Sequence, residues 1–136
     1  SDIHPLYKKS KHVVTFSWTG HWITNEMDAW ISLTTMKNWS EFTSAVEKFG
    51  VPGQNIVYAD ADGNIGWRPA VYIPIRKEGY SMLPRPGHKK GFKWKGRVPF
   101  EDMPFLYNPT SGYISTANNR TIDKNFMYYI KCIISK

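Results

Sequence analysis

The strongest constraint in this sequence is the change of hydrophobic period at Gly50–Gly53. Before it, Trp39, Phe42, Val46 and Phe49 recur at spacings of three, four and three, a single apolar stripe on a helix. Asn38 is suited to cap that helix. Glu41, three residues later, can reach back to the cap's amide as in a capping box. Gly50 stands where a helix ends in a left-handed residue, and Pro52 bars continuation. After Gly53 the period becomes that of strands: Asn55 to Ala59 and Ile65 to Ile75 flank Asp62-Gly63, a strong hairpin signal. With helices and antiparallel strands in one chain, the expected fold class is α+β.

Other segments are placed around this unit. His12 to Trp18 alternates, with Val14, Phe16 and Trp18 on one face, which predicts a strand. Asn25 to about Met36 predicts a helix capped by Asn25, with Met27, Trp30, Ile31 and Thr34 along its stripe. Pro69 and Pro74 make the second hairpin arm an edge or a bent strand. Arg76 to Pro104, rich in proline and glycine, reads as a long ordered loop packed by Phe92, Trp94, Phe100 and Phe105. Tyr113 to Ala117 is expected to be a short strand, and Phe126 to Ile134 is an apolar run.

Bulk properties remove several functions. A 41% hydrophobic fraction with six tryptophans in 136 residues can bury a core, so one domain or a fragment of one is expected over 1–136. If the aromatics belong to a fragment, apolar surface is left exposed and available for self-association. The net charge of +7 invites a nucleic-acid reading. However, Lys8, Lys9 and Lys11 form one cluster, and Lys89, Lys90, Lys93, Lys95 and Arg97 another. Neither lies at a spacing that makes one basic face, so no nucleic-acid partner is expected. No apolar run approaches the roughly 20 residues of a membrane span. Ser1 to Lys11 is polar and charged, unlike a signal peptide. Cys132 is the only cysteine, which excludes an internal disulfide and a cysteine-based metal site. His4, His12, His21 and His88 show no metal-ligand spacing.

Four blocks carry a family resemblance: Gln54-Asn55-Ile56-Val57-Tyr58-Ala59-Asp60 running on to Trp67, Tyr72-Ile73-Pro74-Ile75-Arg76, Trp94 to Pro104, and Asn108 to Arg120. In order and spacing they are similar to the later part of the β-subunit of penicillin acylases (penicillin amidases), which are N-terminal nucleophile hydrolases. The resemblance is good over about Asn25 to Arg120, and 121–136 diverges. It implies a four-layer αββα sandwich, to which this piece would contribute antiparallel strands, two helices and the covering loop. It implies hydrolysis of a linear amide, such as a β-lactam side chain or an N-acyl homoserine lactone, through an acyl-enzyme.

In that family the free α-amine of the first β-subunit residue activates its own hydroxyl, and an asparagine opening a strand donates to the oxyanion. Asn55 matches that asparagine, although by residue chemistry alone it is also an ordinary turn residue starting a strand. Arg76 matches an arginine near the active site that would orient Asn55 or meet an acidic group of the substrate. Asn118, Asn119 and Arg120 match a supporting motif behind the site. Ser1 is not expected to be the nucleophile: Asp2 follows it where the family has asparagine, and His4-Pro5-Leu6 falls where the family has a His-Gly-Pro-like segment well downstream. The nucleophile, the α-subunit and the start of the β-subunit are therefore expected on sequence upstream of this chain, which would be inactive alone. A non-catalytic interaction module that keeps the acylase scaffold is the alternative.

Some family members bind calcium. Asp60, Asp62 and Asn64 have the alternate oxygen ligands of a calcium loop, but Val71 stands where the closing glutamate would be, so a turn is expected and no metal. No cofactor is implied. Many relatives are periplasmic or extracellular, and the sequence leaves the compartment unassigned.

Overall fold

The computed structural model describes residues 14–76, 86–87, 93–117 and 126. Its regular elements are α1 (Glu26–Thr35), α2 (Trp39–Glu47), β1 (Gln54–Ala59), β2 (Ile65–Ala70) and β3 (Leu106–Tyr107), with single 3-10 turns at Thr19–His21 and Phe100–Asp102. The three strands form one antiparallel sheet in the order β1-β2-β3. α2 packs on one face of it and α1 packs on α2, which gives the α+β class. Among the described residues no helix is long and apolar enough to cross a membrane.

α2 forms much as its pattern dictates. Asn38 Oδ1 accepts from Glu41 N at 2.9 Å, which satisfies one of the amides a helix start leaves unpaired. The Glu41 carboxylate accepts from Lys37 N (2.8 Å) and from Asn38 Nδ2 (3.1 Å), one residue earlier than a capping box requires. Phe42 and Val46 are fully buried, and with Ala29, Phe49, Tyr58 and Ala70 they make the core.

Gly50 does not take the expected left-handed conformation. The positive-φ glycines among the described residues are Gly63, Gly96 and Gly112. Gly50 is required for space instead: a Cβ there would lie 2.6 Å from Thr24 Cγ2 and 2.7 Å from the Tyr72 ring. Its amide, and that of Val51, donate to the Glu26 carboxylate at 3.2 and 3.0 Å, which ties the chain leaving α2 to the start of α1.

α1 has its predicted bounds and cap, with Asn25 Oδ1 accepting from Asp28 N at 3.2 Å. Its buried face differs from the expected stripe. Ala29 is buried, with Leu33 and Met36 packed beside it, whereas Met27 is 71% and Ile31 60% exposed. Ala29 lets the helix approach the core closely, and the larger residues are turned outward. Trp30 keeps one contact inward, edge-on to Phe49 at 5.6 Å.

The hairpin sits where Asp62-Gly63 predicts, with Gly63 at φ 85°. Asp60 N donates to Asn64 O, and Asn108 N donates to Ile65 O. In an antiparallel ladder this fixes the phase. Gln54, Ile56 and Tyr58 bond across to β2, while Asn55, Val57 and Ala59 turn their backbone groups to the side away from β2. The phase also corrects the view of β2 as an edge. β2 is the central strand, but its partner β3 reaches only Gly66 and Trp67. Pro69 pairs with Asn55 at a position that needs no amide donor toward β1, and β3 does not extend to it.

β2 also ends at Ala70, short of the expected Ile75. Pro74 instead forms an isolated bridge with Arg97. Two expected strands are not formed. Val14–Trp18 joins no strand among the described residues, and Val14, Phe16 and Trp18 are all exposed. Tyr113–Ala117 also lacks a ladder. In both, alternation exists but no ladder forms among the described residues. The Phe126 to Ile134 run lies outside the described residues apart from Phe126, as do Phe92 and Cys132.

Candidate active site

The sheet has two unlike faces. Ile56, Tyr58 and Ala70 point to the helices and the core. Residues one step along point the other way, which places Asn55 and Val57 of β1 with Trp67 and Pro69 of β2 on the face away from the helices. Asn55, second residue of β1, is exposed. Its Oδ1 accepts a hydrogen bond from Trp67 Nε1 at 3.0 Å. An indole nitrogen can only donate, so chemistry decides that the oxygen, and not the nitrogen, of the Asn55 amide faces Trp67. The Nδ2 group is turned away and has no acceptor among the described residues. An uncommitted amide donor, held by its other end at the start of a strand, is what stabilisation of a developing oxyanion requires.

Trp67 is absent from the residues the family resemblance implies. It is 2% exposed. The hairpin register pairs Trp67 with Val57, so it is the diagonal neighbour of Asn55 on the same face. Counting outward from Asp62-Gly63 would have found it.

Arg76 is half-buried, with Cζ 5.6 Å from the Trp94 ring. Burial pushes its pKa down, though arginine remains charged in proteins. It forms no hydrogen bond with Asn55, so in this structure Trp67 is the side chain that holds Asn55. Trp94 in turn lies edge-on to Trp22 at 5.6 Å, and Arg97 stands 4.0 Å from the Tyr72 ring. Asn118, Asn119 and Arg120 lie outside the described residues.

A second arginine, Arg68, has no counterpart among the expected site residues. It is 8% exposed on the helix face, and its Nη1 donates to Phe100 O and Met103 O, both at 3.3 Å. Its guanidinium lies 4.3 Å from the Phe100 ring and 4.8 Å from that of Phe105. Burial pushes its pKa down, with Glu47 opposing. These contacts make it a clasp between β2 and the loop before β3.

The residues of the hairpin turn do not fit calcium. Asp60 accepts from Asp62 N (3.0 Å), Asn64 N (2.9 Å), Asn64 Nδ2 (2.8 Å) and the Tyr58 hydroxyl (2.8 Å). Four donors aimed at one carboxylate occupy the positions a cation would need. The side-chain bond from Asn64, with those from Tyr58 and the backbone, holds the Asp60 carboxyl below its usual range despite some desolvation. Asp60 in turn pushes the Tyr58 phenol up to about 12.

Comparison with known proteins places the chain in a family. The sequence matches the profile of the penicillin amidase family over residues 3–135. It is 40% identical over 114 residues to penicillin G acylase of Escherichia coli, covering 83% of this chain and 12% of that protein. It is 33% identical over 100 residues to the acyl-homoserine lactone acylase QuiP of Pseudomonas fluorescens, covering 74% of this chain and 12% of the other. The structure superposes on a thermostable penicillin G acylase from Alcaligenes faecalis with a TM-score of 0.64 and 30% identity, over 76% of this chain and 19% of that one. The chain thus spans about an eighth of the length of these curated relatives. With its family profile, its relatives and its fold in agreement, the chain belongs to the penicillin amidase family.

Proposed function

We propose that this chain supplies one wall of the active site of an amide hydrolase that cleaves linear amides through an acyl-enzyme. Asn55 is the oxyanion donor. When a hydroxyl attacks the amide carbon, the carbonyl oxygen gains negative charge, and Nδ2–H of Asn55 stabilises it. Collapse of that intermediate expels the amine and leaves an ester, which water then hydrolyses. The hydroxyl, and the α-amine that takes its proton, come from a segment of the family outside these 136 residues, as do the second donor and most of the acyl pocket. Arg76, which lies beside Trp94, would be the cation that meets an acidic group on the substrate. The observation that carries this reading is the exposed, uncommitted Nδ2 of Asn55, whose oxygen is tied to Trp67. The outward apolar residues of α1, Met27 and Ile31, would be covered by the remaining enzyme.

The test is hydrolysis of a chromogenic phenylacetyl anilide by the chain alone and together with the upstream part of a penicillin acylase. The chain alone is expected to give no turnover above buffer. The combination is expected to turn over, and Asn55→Ala in it to reduce kcat by about two to three orders of magnitude. Turnover unchanged by Asn55→Ala would remove Asn55 from the reaction. Turnover by the chain alone, lost in Asn55→Ala, would show that it carries its own nucleophile.

A further inference from the structure

We infer that Trp67 is the positioning residue of this site: its indole N–H fixes the rotamer of Asn55 and so decides where the oxyanion donor points. This rests on the oxyanion reading of Asn55. An asparagine on an exposed strand face is free to rotate about both side-chain torsions, and its amide can present either oxygen or nitrogen to a reacting carbonyl. Presenting oxygen would repel the oxyanion. The site therefore needs a group that accepts only one of the two orientations.

Trp67 meets that need in three ways. Its nitrogen is a donor with no acceptor capacity, so it selects Oδ1 and rejects Nδ2. The 3.0 Å contact is of ordinary hydrogen-bond length and needs no distortion. Trp67 itself is 2% exposed, so its ring does not compete for orientations with water.

The backbone adds a further restraint. Trp67 lies between the two partners Val57 and Leu106, in the one stretch of β2 that is paired on both sides. Asn55 is opposite Pro69, whose φ is fixed by its ring. The donor is thus mounted on the doubly paired stretch of β2, while Arg76 lies beyond the end of β2 and shares no hydrogen bond with Asn55. Arg76→Ala is accordingly expected to leave the orientation of Asn55 unchanged.

The experiment is amide and indole hydrogen exchange, followed by proton–nitrogen correlation NMR on the labelled full chain. In the wild type the Trp67 indole proton is expected to be protected. Asn55→Leu removes the acceptor while keeping the side chain's size, and should speed exchange of that proton about tenfold, the value of one ordinary hydrogen bond. Asn55→Asp keeps an acceptor oxygen and should restore protection, which loss of packing alone would not do. Trp67→Phe keeps the ring and removes the donor, so the side-chain NH2 pair of Asn55 should move to the averaged shifts of a free amide.

Both Asn55 variants change an exposed residue, so they read the coupling even if Trp67→Phe does not fold. Equal exchange of the Trp67 indole proton in wild type, Asn55→Leu and Asn55→Asp would overturn the inference. The oxyanion reading is tested separately by turnover. Loss of kcat in Asn55→Ala with no coupling to Trp67 would sink only the positioning role, whereas coupling without any effect of Asn55→Ala on kcat would sink only the oxyanion role.

Discussion

Gly66 is the residue whose replacement tests the packing of this fold most directly. It lies on the helix face of β2, opposite Tyr58. A methyl group built there would sit 2.8 Å from two atoms of the Trp39 ring, inside any real carbon contact. Trp39 cannot slide away freely. It is stacked on Phe42 at 5.2 Å and on Tyr107 at 4.7 Å, and meets Tyr58 edge-on at 5.6 Å. Forcing it to move costs about 1–3 kcal/mol in overpacking, and loss of one ring pair's geometry adds about 0.5–1.5 kcal/mol. Against this, alanine gains about 0.5–1 kcal/mol over glycine in a strand interior. The net expectation for Gly66→Ala is a loss of about 2 kcal/mol, or about 6 °C in Tm for a chain of this size. Thermal unfolding followed by circular dichroism measures it. In a Trp39→Ala background the obstruction is gone, and the same substitution should cost less than about 0.5 kcal/mol. A Gly66→Ala chain that melts at or above the wild-type temperature would refute the close packing of Trp39 on β2.

Further outcomes follow from the same contacts. Phe42→Ala, at a fully buried position, should cost about 3–5 kcal/mol in denaturant unfolding. For Glu26, desolvation pushes the carboxyl up, but bonds from Thr24 and the backbone amides of Glu26, Val51 and Gly50 outweigh it and lower its pKa. Its folded value lies below the unfolded one, so the stability it contributes is present above the unfolded pKa and is lost as pH falls through the folded one. Glu26→Gln should flatten that acid limb in a series of melts. Asp60→Asn should bring the Tyr58 phenol down from about 12 toward the usual tyrosine range, as read by ultraviolet absorbance during an alkaline titration. With Asp60 intact, the raised phenol pKa adds stability that is full below the unfolded value near 10 and fades as pH rises toward 12.

Local chemistry alone accounts for much of this molecule. The Asn38 cap, the α2 stripe, the Asp62-Gly63 turn and the Asn25 cap depend on neighbours within a few residues, and each stands where the pattern puts it. Asn55, too, falls within the strand that its block predicts. What local pattern could not decide was which surfaces find partners. Val14–Trp18 and Tyr113–Ala117 alternate like strands but join no ladder among the described residues, while Leu106–Tyr107, too short to show a period, pairs with β2 because the loop brings it there. The stripe expected for α1 is not the buried one: the small Ala29 rather than the larger Met27 and Ile31 turns inward, since the packed distance to α2 selects the face. The role of Trp67 is of the same kind. Its meeting with Asn55 arises from strand register across the hairpin, and a hydrogen bond between residues 12 apart exists only once the sheet has formed.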